Sequence, residues 1–280
     1  MRVCILGSGL SSLTLAQALV NQKIYVDVIY KKIKPNINKT RTLGISKSNV
    51  EYFNKNIINI DNIKWKLNKI EIFSENLKND KIINFEDNSS YLFSIIKNFK
   101  LYEKLEKNLF KNKYFLKRIY KVKFDAPKNY DLVINTDYNN LITKKYFNKK
   151  IIKKYNSRAY TTVIRHKKLS NNVAFQIFTK KGPLAFLPIS QEETSVVFSC
   201  HNLVNKKVDD FDQIIKKFNF KYQIMKIDNV ESFDLTGLSL RSYYHKNILA
   251  FGDLLHRIHP LAGQGFNMTI RDTIDLIKII

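Results

Sequence analysis

The chain is short of glycine, proline and cysteine. Its 280 residues include 8 Gly, 5 Pro and 2 Cys. So few Gly and Pro exclude collagen-like and Gly/Pro-rich low-complexity chains, because ordinary proteins already carry roughly 7% Gly. Two cysteines, Cys4 and Cys200, exclude a disulfide scaffold and a Cys-rich zinc module. No run reaches the ~18 consecutive apolar residues of a membrane span. The apolar N-terminus has no charged leader before it and is interrupted by Gly7-Ser8-Gly9. It therefore reads as the first element of a cytosolic fold rather than a signal peptide. Acid is the remaining shortage: 24 Asp+Glu stand against 48 Lys+Arg, giving a formal net charge of +24.

What is present suffices for a folded chain. Hydrophobic residues make up 44% and aromatics 12%, which excludes disorder despite the charge. This length can bury the core of one large domain or two modest ones. The positive charge points to an anionic partner: nucleic acid, an acidic membrane surface or a phosphate-bearing ligand. The lysines are spread along the whole chain, and the excess of Lys, Asn and Ile is that of an AT-rich coding sequence. The charge reads first as background composition and second as attraction to an anionic membrane. Nucleic acid comes last, since no helix-turn-helix, zinc-finger or RNP-like pattern supports it.

The pattern along the chain is α/β. Residues 2–6 form a short apolar run, 10–21 carry apolar residues at helical spacing, and 24–30 alternate and are β-branched. This is a βαβ unit. Residues 46–56 then read as a helix, 69–74 and 81–85 as strands, and 92–109 as a helix with Leu101, Leu105 and Leu109 on one face. Residues 114–124 and 131–135 read as strands returning to the first sheet. Runs at 160–166, 173–178, 184–189 and 195–199, separated by turn residues, predict an antiparallel sheet. Residues 208–218 read as a helix, 247–251 as a buried strand, and from Gly265 to Ile280 the pattern is helical.

Five of the eight glycines fall in two clusters. Gly7-Ser8-Gly9-Leu10-Ser11-Ser12 follows a strand and opens a helix, the context in which G-x-G-x-x-G means dinucleotide binding. Gly7 permits the tight turn, Gly9 lets the backbone approach a pyrophosphate, and Ser12 replaces the third glycine. The helix N-terminus offers free N–H groups and a positive dipole end. An acidic residue for the ribose is expected ~20 residues later. Tyr30 stands there, followed by Lys31 and Lys32, so ribose recognition is weakened or different. In the second cluster a strand ends at Gly252, Asp253 can accept hydrogen bonds from a polyol, and Pro260-Leu261-Ala262-Gly263-Gln264-Gly265 leads into a helix.

The stretch from Gly252 to Asn267 resembles the G-D-x-x-H-x-x-x-P-x-x-G-Q-G-x-N signature of class A flavoprotein monooxygenases. Three further stretches are similar to the ubiquinone-biosynthesis hydroxylases (the UbiH/UbiF/UbiI group): residues 160–166, 172–178 with Ala174-Phe175-Gln176, and 182–188 with Gly182-Pro183-Leu184-Ala185. Arg41-Thr42-Leu43-Gly44-Ile45-Ser46 is similar to their R-x-x-A-L-S segment. The resemblance spans nearly the whole chain. It implies a Rossmann-like FAD-binding domain with an inserted antiparallel-sheet substrate domain. It also implies cofactor contacts at Arg41, Gly252, Asp253, Pro260, Gly263, Gln264, Gly265 and Asn267, beside Gly7, Gly9 and Ser12. The family's middle fingerprint, Asp-Gly and a later Ser, is matched at Asp137, while Tyr138 and Leu141 take the other places. A glycine there can require φ > 0, which Tyr does not readily adopt.

The implied division assigns 1–60, 93–150 and 245–280 to the FAD-binding domain, whose last part is short for the family. It assigns 61–92 and 151–244 to the substrate domain. The implied reaction is hydroxylation of a polyprenylated phenol in ubiquinone biosynthesis, with NADPH or NADH and oxygen as co-substrates, through a hydroperoxyflavin. The implied location is cytoplasmic, peripheral at the inner face of the membrane, among other ubiquinone-biosynthesis proteins. The alternatives are a degenerate, non-catalytic member acting as an assembly component and a flavin oxidoreductase on another lipid-like substrate. No side chain is assigned as catalytic acid or base. His256 and His259 have no acidic partner at metal-ligand spacing, so no metal is expected. His166 reads as a satisfied sheet residue. Phe175, Phe178 and Phe186 read as core, with an apolar substrate wall as the sharper option.

Overall fold

The structure is a computed structural model and describes residues 1–30, 39–77, 80–87, 90–119, 129–201, 211–257 and 264–280. The chain opens with β1 (Arg2–Leu6), α1 (Leu10–Asn21) and β2 (Tyr25–Tyr30). It continues through β3 (Thr42–Ser46), α2 (Lys47–Tyr52) with one π-helical turn at Phe53–Ile57, β4 (Lys64–Leu67), β5 (Lys69–Ser74), β6 (Lys81–Glu86) and β7 (Phe93–Lys97). Next come α3 (Asn98–Leu109), β8 (Phe115–Ile119), β9 (Leu132–Asn135), α4 (Leu141–Tyr146), β10 (Lys150–His166), β11 (Val173–Thr179), β12 (Gly182–Pro188) and β13 (Glu193–His201). The described chain ends with α5 (Phe211–Phe218), β14 (Ile224–Ile227), β15 (Glu231–Leu240), β16 (Tyr244–His245), β17 (Ile248–Ala250), β18 (His256–Arg257) and α6 (Gln264–Ile279).

The fold is α/β, as expected. One sheet has the order β16-β17-β9-β1-β2-β8. Its five strands from β17 to β8 are parallel. Parallel strands need both faces covered, and their sequences read as continuous apolar runs. Val3, Cys4 and Ile5 of β1 are fully buried, and so are Val26 and Val28 of β2. Helix α1 is buried on all sides from Ser12 to Val20, including Leu13, Leu15 and Leu19. Each such side chain contributes about 1.5–3 kcal/mol on burial.

The second sheet is antiparallel over most of its width and runs β18-β15-β10-β13-β12-β11-β5-β6, with β14 also on β10. Its two faces differ. By alternation, Tyr160, Ile164, Phe175, Ile177, Leu184, Phe186, Val196 and Phe198 point to one face. There they form a core under α5 with Phe211, Ile215 and Tyr222. A third sheet, β3-β7-β4, is fully antiparallel.

Two elements differ from the sequence reading. Residues 93–97 are the central strand of the third sheet, not the first turn and a half of a helix. Ile95 and Ile96 are β-branched and both are buried, which favours a strand paired on both sides. The predicted face of α3 is as expected, with Leu101, Leu105 and Leu109 fully buried. Strand β10 is 17 residues long, because residues 150–157 extend it along β15 through a register shift between Lys154 and Ser157.

Candidate functional site

Gly7 ends β1 with φ +114°, a conformation essentially restricted to glycine. An added Cβ would collide with Thr136 Oγ1 and lie 3.5 Å from the Asp137 amide nitrogen. The first glycine turn is thus packed against the end of β9. Thr136 donates to the Leu6 carbonyl at 2.9 Å, and its hydroxyl is 2.7 Å from that of the fully buried Ser12. Ser12 therefore serves as more than a small residue: it ties α1 to β9. Gly9 is the residue preceding α1. An added Cβ there would meet nothing within 4 Å, and no side chain caps the helix.

Gly252 brings the second motif to the first. Its φ is +62°, and an added Cβ would sit 2.8 Å from Ser11 Cβ and 2.9 Å from Ser11 Oγ. Strand β17, pairing in parallel with β9, delivers Gly252 to this point, as the Phe251 amide donates to the Asn135 carbonyl at 2.9 Å. Asp253 follows. It is exposed to solvent, yet protein crowds it on enough sides that desolvation raises its carboxyl pKa above the ordinary value. The Arg257 and Arg41 guanidiniums oppose that rise.

Arg41 precedes β3 of the third sheet, in a segment that touches the second sheet. Its guanidinium lies 4.2 Å from the centre of the Phe233 ring on β15. The Thr40 hydroxyl is 3.3 Å from that of Thr161 on β10, and Thr42 Oγ1 donates to Ser195 Oγ on β13 at 3.0 Å. Residues 40–42 therefore dock on the face of the second sheet opposite α5.

Asn267 is held by the chain itself. Its Nδ2 donates to the Gly44 carbonyl at 2.8 Å, and its Oδ1 accepts from the Ser46 amide at 3.1 Å and Asn49 Nδ2 at 2.7 Å. This buried clamp fixes the first turn of α6 against β3 and α2. Gln264 is exposed at the start of α6, and an added Cβ on Gly265 would meet nothing within 4 Å. Pro260 and Gly263 lie outside the described residues.

The middle fingerprint is built differently from its sequence expectation. Asp137 Oδ1 accepts from the Asn139 amide at 2.8 Å, a local turn. Asn140 then caps α4 by accepting from the Thr143 amide at 2.7 Å. Tyr138 does not adopt a left-handed backbone; among the described residues the non-glycine positions with positive φ are Lys23, Asn156 and Lys246. The strain expected of Tyr138 is therefore absent. Its hydroxyl accepts from Lys150 Nζ at 3.1 Å, and the Arg257 guanidinium is 5.4 Å from its ring centre. At the place of the missing acid, Lys117 Nζ lies 4.7 Å from the Tyr30 ring centre.

The remaining candidates are structural. His166 is buried, with ring nitrogens 2.9 Å from the Lys167 carbonyl and 3.0 Å from Thr194 Oγ1, so it is a satisfied core residue. Phe175 and Phe186 stack at 4.4 Å within the core under α5, whereas Phe178 points to the other face and is exposed. No cluster of three or more His, Cys, Asp or Glu that could hold a metal occurs among the described residues. Burial pushes the Cys4 thiol up to about 12 and also raises that of Cys200. No helix among the described residues is long and apolar enough to cross a membrane. Sequence reasoning missed Ser11, Thr136, Asn49 and Phe233, whose roles arise from contacts distant in the chain and leave no local pattern.

A family model described as FAD binding domain matches residues 209–280. The 3-demethoxyubiquinol 3-hydroxylase of Escherichia coli is 32% identical over 112 residues, covering 38% of this chain and 29% of that protein. The mitochondrial ubiquinone biosynthesis monooxygenase COQ6 of Drosophila melanogaster is 25% identical over 189 residues, covering 53% of this chain and 40% of that protein. The matched stretches thus span well under half the length of these curated relatives. The crystal structure of p-nitrophenol 4-monooxygenase PnpA from Pseudomonas putida superimposes with a TM-score of 0.77 at 11% identity, covering 99% of this chain and 78% of that one. The fold of this chain is that of the FAD-dependent monooxygenases, and its sequence is similar to those that serve ubiquinone biosynthesis.

Proposed function

We propose that the chain is an FAD-dependent aromatic-ring hydroxylase acting on a polyprenylated phenol, with NADPH or NADH and oxygen as co-substrates. The observation that carries this reading is the meeting of the two glycine turns at Ser11 and Gly252, with Asp253 next in the chain. The residues present fit FAD. The open space at Gly9 and the uncapped start of α1 suit a pyrophosphate, which the backbone N–H groups of Leu10, Ser11 and Ser12 would hold. Asp253 would accept hydrogen bonds from the ribityl hydroxyls. Gly265, also open, would let the start of α6 approach the flavin ring. Arg41 would hold a phosphate or ring edge from the opposite side.

Bound FAD would supply the redox chemistry. The chain's own task is to orient the ring, exclude water and place positive dipole where negative charge grows. The start of α6, fixed by the Asn267 clamp, meets the last requirement. In this reading 1–60, 93–150 and 245–280 carry the cofactor, while 61–92 and 151–244 carry the substrate. A lipid-soluble substrate and a net charge of +24 support work at an anionic membrane surface. The names of the sequence relatives support the substrate class.

The test is a flavin spectrum of the purified chain, before and after adding FAD, then NADPH with prenylated phenols under air. Bound flavin, bleaching by NADPH and a hydroxylated product are expected. A protein that stays colourless in FAD refutes the enzyme reading and favours the assembly component. Bleaching without phenol product favours the flavin oxidoreductase on another substrate.

A further inference from the structure

The two faces of the second sheet are paved differently. The face under α5 carries the aromatic core. The other face, on which residues 40–42 dock, carries Phe178 and Phe233 apart from a row of small or slender side chains. One row across it follows the strand register: Thr161 on β10 opposite Val197 on β13, Val197 opposite Ala185 on β12, Ala185 opposite Gln176 on β11, and Gln176 beside Ile72 on β5. Ile72 in turn lies opposite Ile83 on the edge strand β6. At about 4.8 Å per strand, Thr161 and Gln176 are roughly 14 Å apart across this floor.

Gln176 is the one polar side chain between Val197 and Ile83 on this row. It is half-buried in mid-strand, with Ala174 and Phe178 as its same-face neighbours along β11. Other front-face polar groups are engaged: Thr161 by Thr40 and Ser195 by Thr42. The Gln176 amide has no hydrogen-bond partner among the described residues. A long polar side chain on an apolar, ordered surface loses rotamer freedom and part of its hydration without any return from the fold. Its return would come from a ligand.

We propose that Gln176 reads the hydroxyl of the aromatic substrate, with the apolar chain of that substrate running over Ile72 to Ile83 at the sheet edge; this rests on the reading of the site as a phenol hydroxylase. A neutral amide suits a phenol, which both donates and accepts. Gln176 Oε1 accepts the phenolic O–H. A ring lacking the hydroxyl leaves the amide desolvated and unpaired, which is the strong form of discrimination between close analogues. Ile83, 44% exposed, makes the apolar stripe continuous with the molecular surface, so a long chain need not be enclosed.

The experiment uses the full chain loaded with FAD and two probes, 2-(3-methylbut-2-enyl)phenol and its O-methyl ether. Binding is read from the perturbation of the flavin spectrum, and KM and kcat from turnover of the phenol. Wild type is expected to prefer the phenol by about tenfold or more, the value of one hydrogen bond to a buried polar group. Gln176→Leu is expected to retain flavin and bring the preference within about twofold, and Gln176→Asn to restore part of it. Ile72→Ala is expected to weaken both probes alike, since it removes only apolar contact. If Gln176→Leu loses flavin, Gln176→Met, nearer in length, takes its place. Preference retained in the apolar variant overturns the role of Gln176 and leaves the hydroxylase reading standing, as does wild type binding both probes equally. Wild type that holds flavin but binds neither probe overturns both.

Discussion

Gly252→Ala tests the joint on which the site depends. The perturbation has two separable parts. The backbone at φ +62° is left-handed, and an alanine there costs about 1 kcal/mol or a little more. The new Cβ would lie 2.8 Å from Ser11 Cβ and 2.9 Å from its Oγ, closer than real Cβ contacts. Such overpacking against the first turn of a buried helix costs about 1–3 kcal/mol. The expected loss is therefore about 2–4 kcal/mol, a large share of the ~5–15 kcal/mol by which domains are stable. Ser11→Gly removes both clashing atoms at its own cost of about 0.5–1 kcal/mol. The double variant should recover the steric part and leave the backbone part, a coupling of about 1–3 kcal/mol. Urea titration of the apoprotein, followed by Trp65 fluorescence at constant m, measures all four corners of the cycle. A Gly252→Ala variant within about 0.5 kcal/mol of wild type, or strictly additive losses, would refute the packing of the two glycine turns.

Three other perturbations address neighbouring parts of the site. Asn267→Leu strands the Gly44 carbonyl, the Ser46 amide and the Asn49 side chain in a buried place, and should cost about 2–4 kcal/mol by thermal or urea unfolding; a loss near zero removes the clamp. For Asp253→Asn the sign follows from a carboxyl whose folded pKa is raised. The folded state resists ionisation, so wild type loses stability as pH rises from the unfolded value of 3.8 through the folded one. The Asn variant should be the more stable at pH 7, with its advantage fading towards pH 4 and below, while its affinity for FAD falls. A variant less stable than wild type at every pH sinks that argument. Tyr138→Gly should destabilise by about 1 kcal/mol, because it gives up the Lys150 and Arg257 contacts and relieves no strain; a more stable variant would mean that Tyr138 is strained after all.

The parts of the fold legible in sequence are those fixed by near neighbours. The opening βαβ unit, the runs of β10 to β13 and both glycine turns depend on periodicity and on single residues with special backbones, which a linear reading captures. Strand β7 merges with the helix after it because Phe93-Ser94-Ile95-Ile96-Lys97 is too short to show a period of its own; its identity comes from β3 and β4 on either side. The site was legible as two halves but not as a whole. Nothing near Gly252 in sequence names Ser11, and nothing near Arg41 names Phe233. Tyr138 shows the reverse error: a family pattern with glycine suggested strain, yet this chain turns there through Asp137 and Asn140 with an ordinary backbone.

The strand order β17-β9-β1-β2-β8 has a temporal consequence. The first sheet draws its parallel strands from residues 2–6, 25–30, 115–119, 132–135 and 248–250, and Gly252 closes against Ser11 across 241 positions of chain. On a ribosome the first turn emerges early and must wait while some 240 residues are added before its counterpart exists. The intervening antiparallel sheet can settle during that delay, since its neighbours from β10 to β13 are close in the chain. The cofactor, by contrast, has no complete seat until that last closure. Loading is then a late event, since the two turns meet only when Gly252 reaches Ser11.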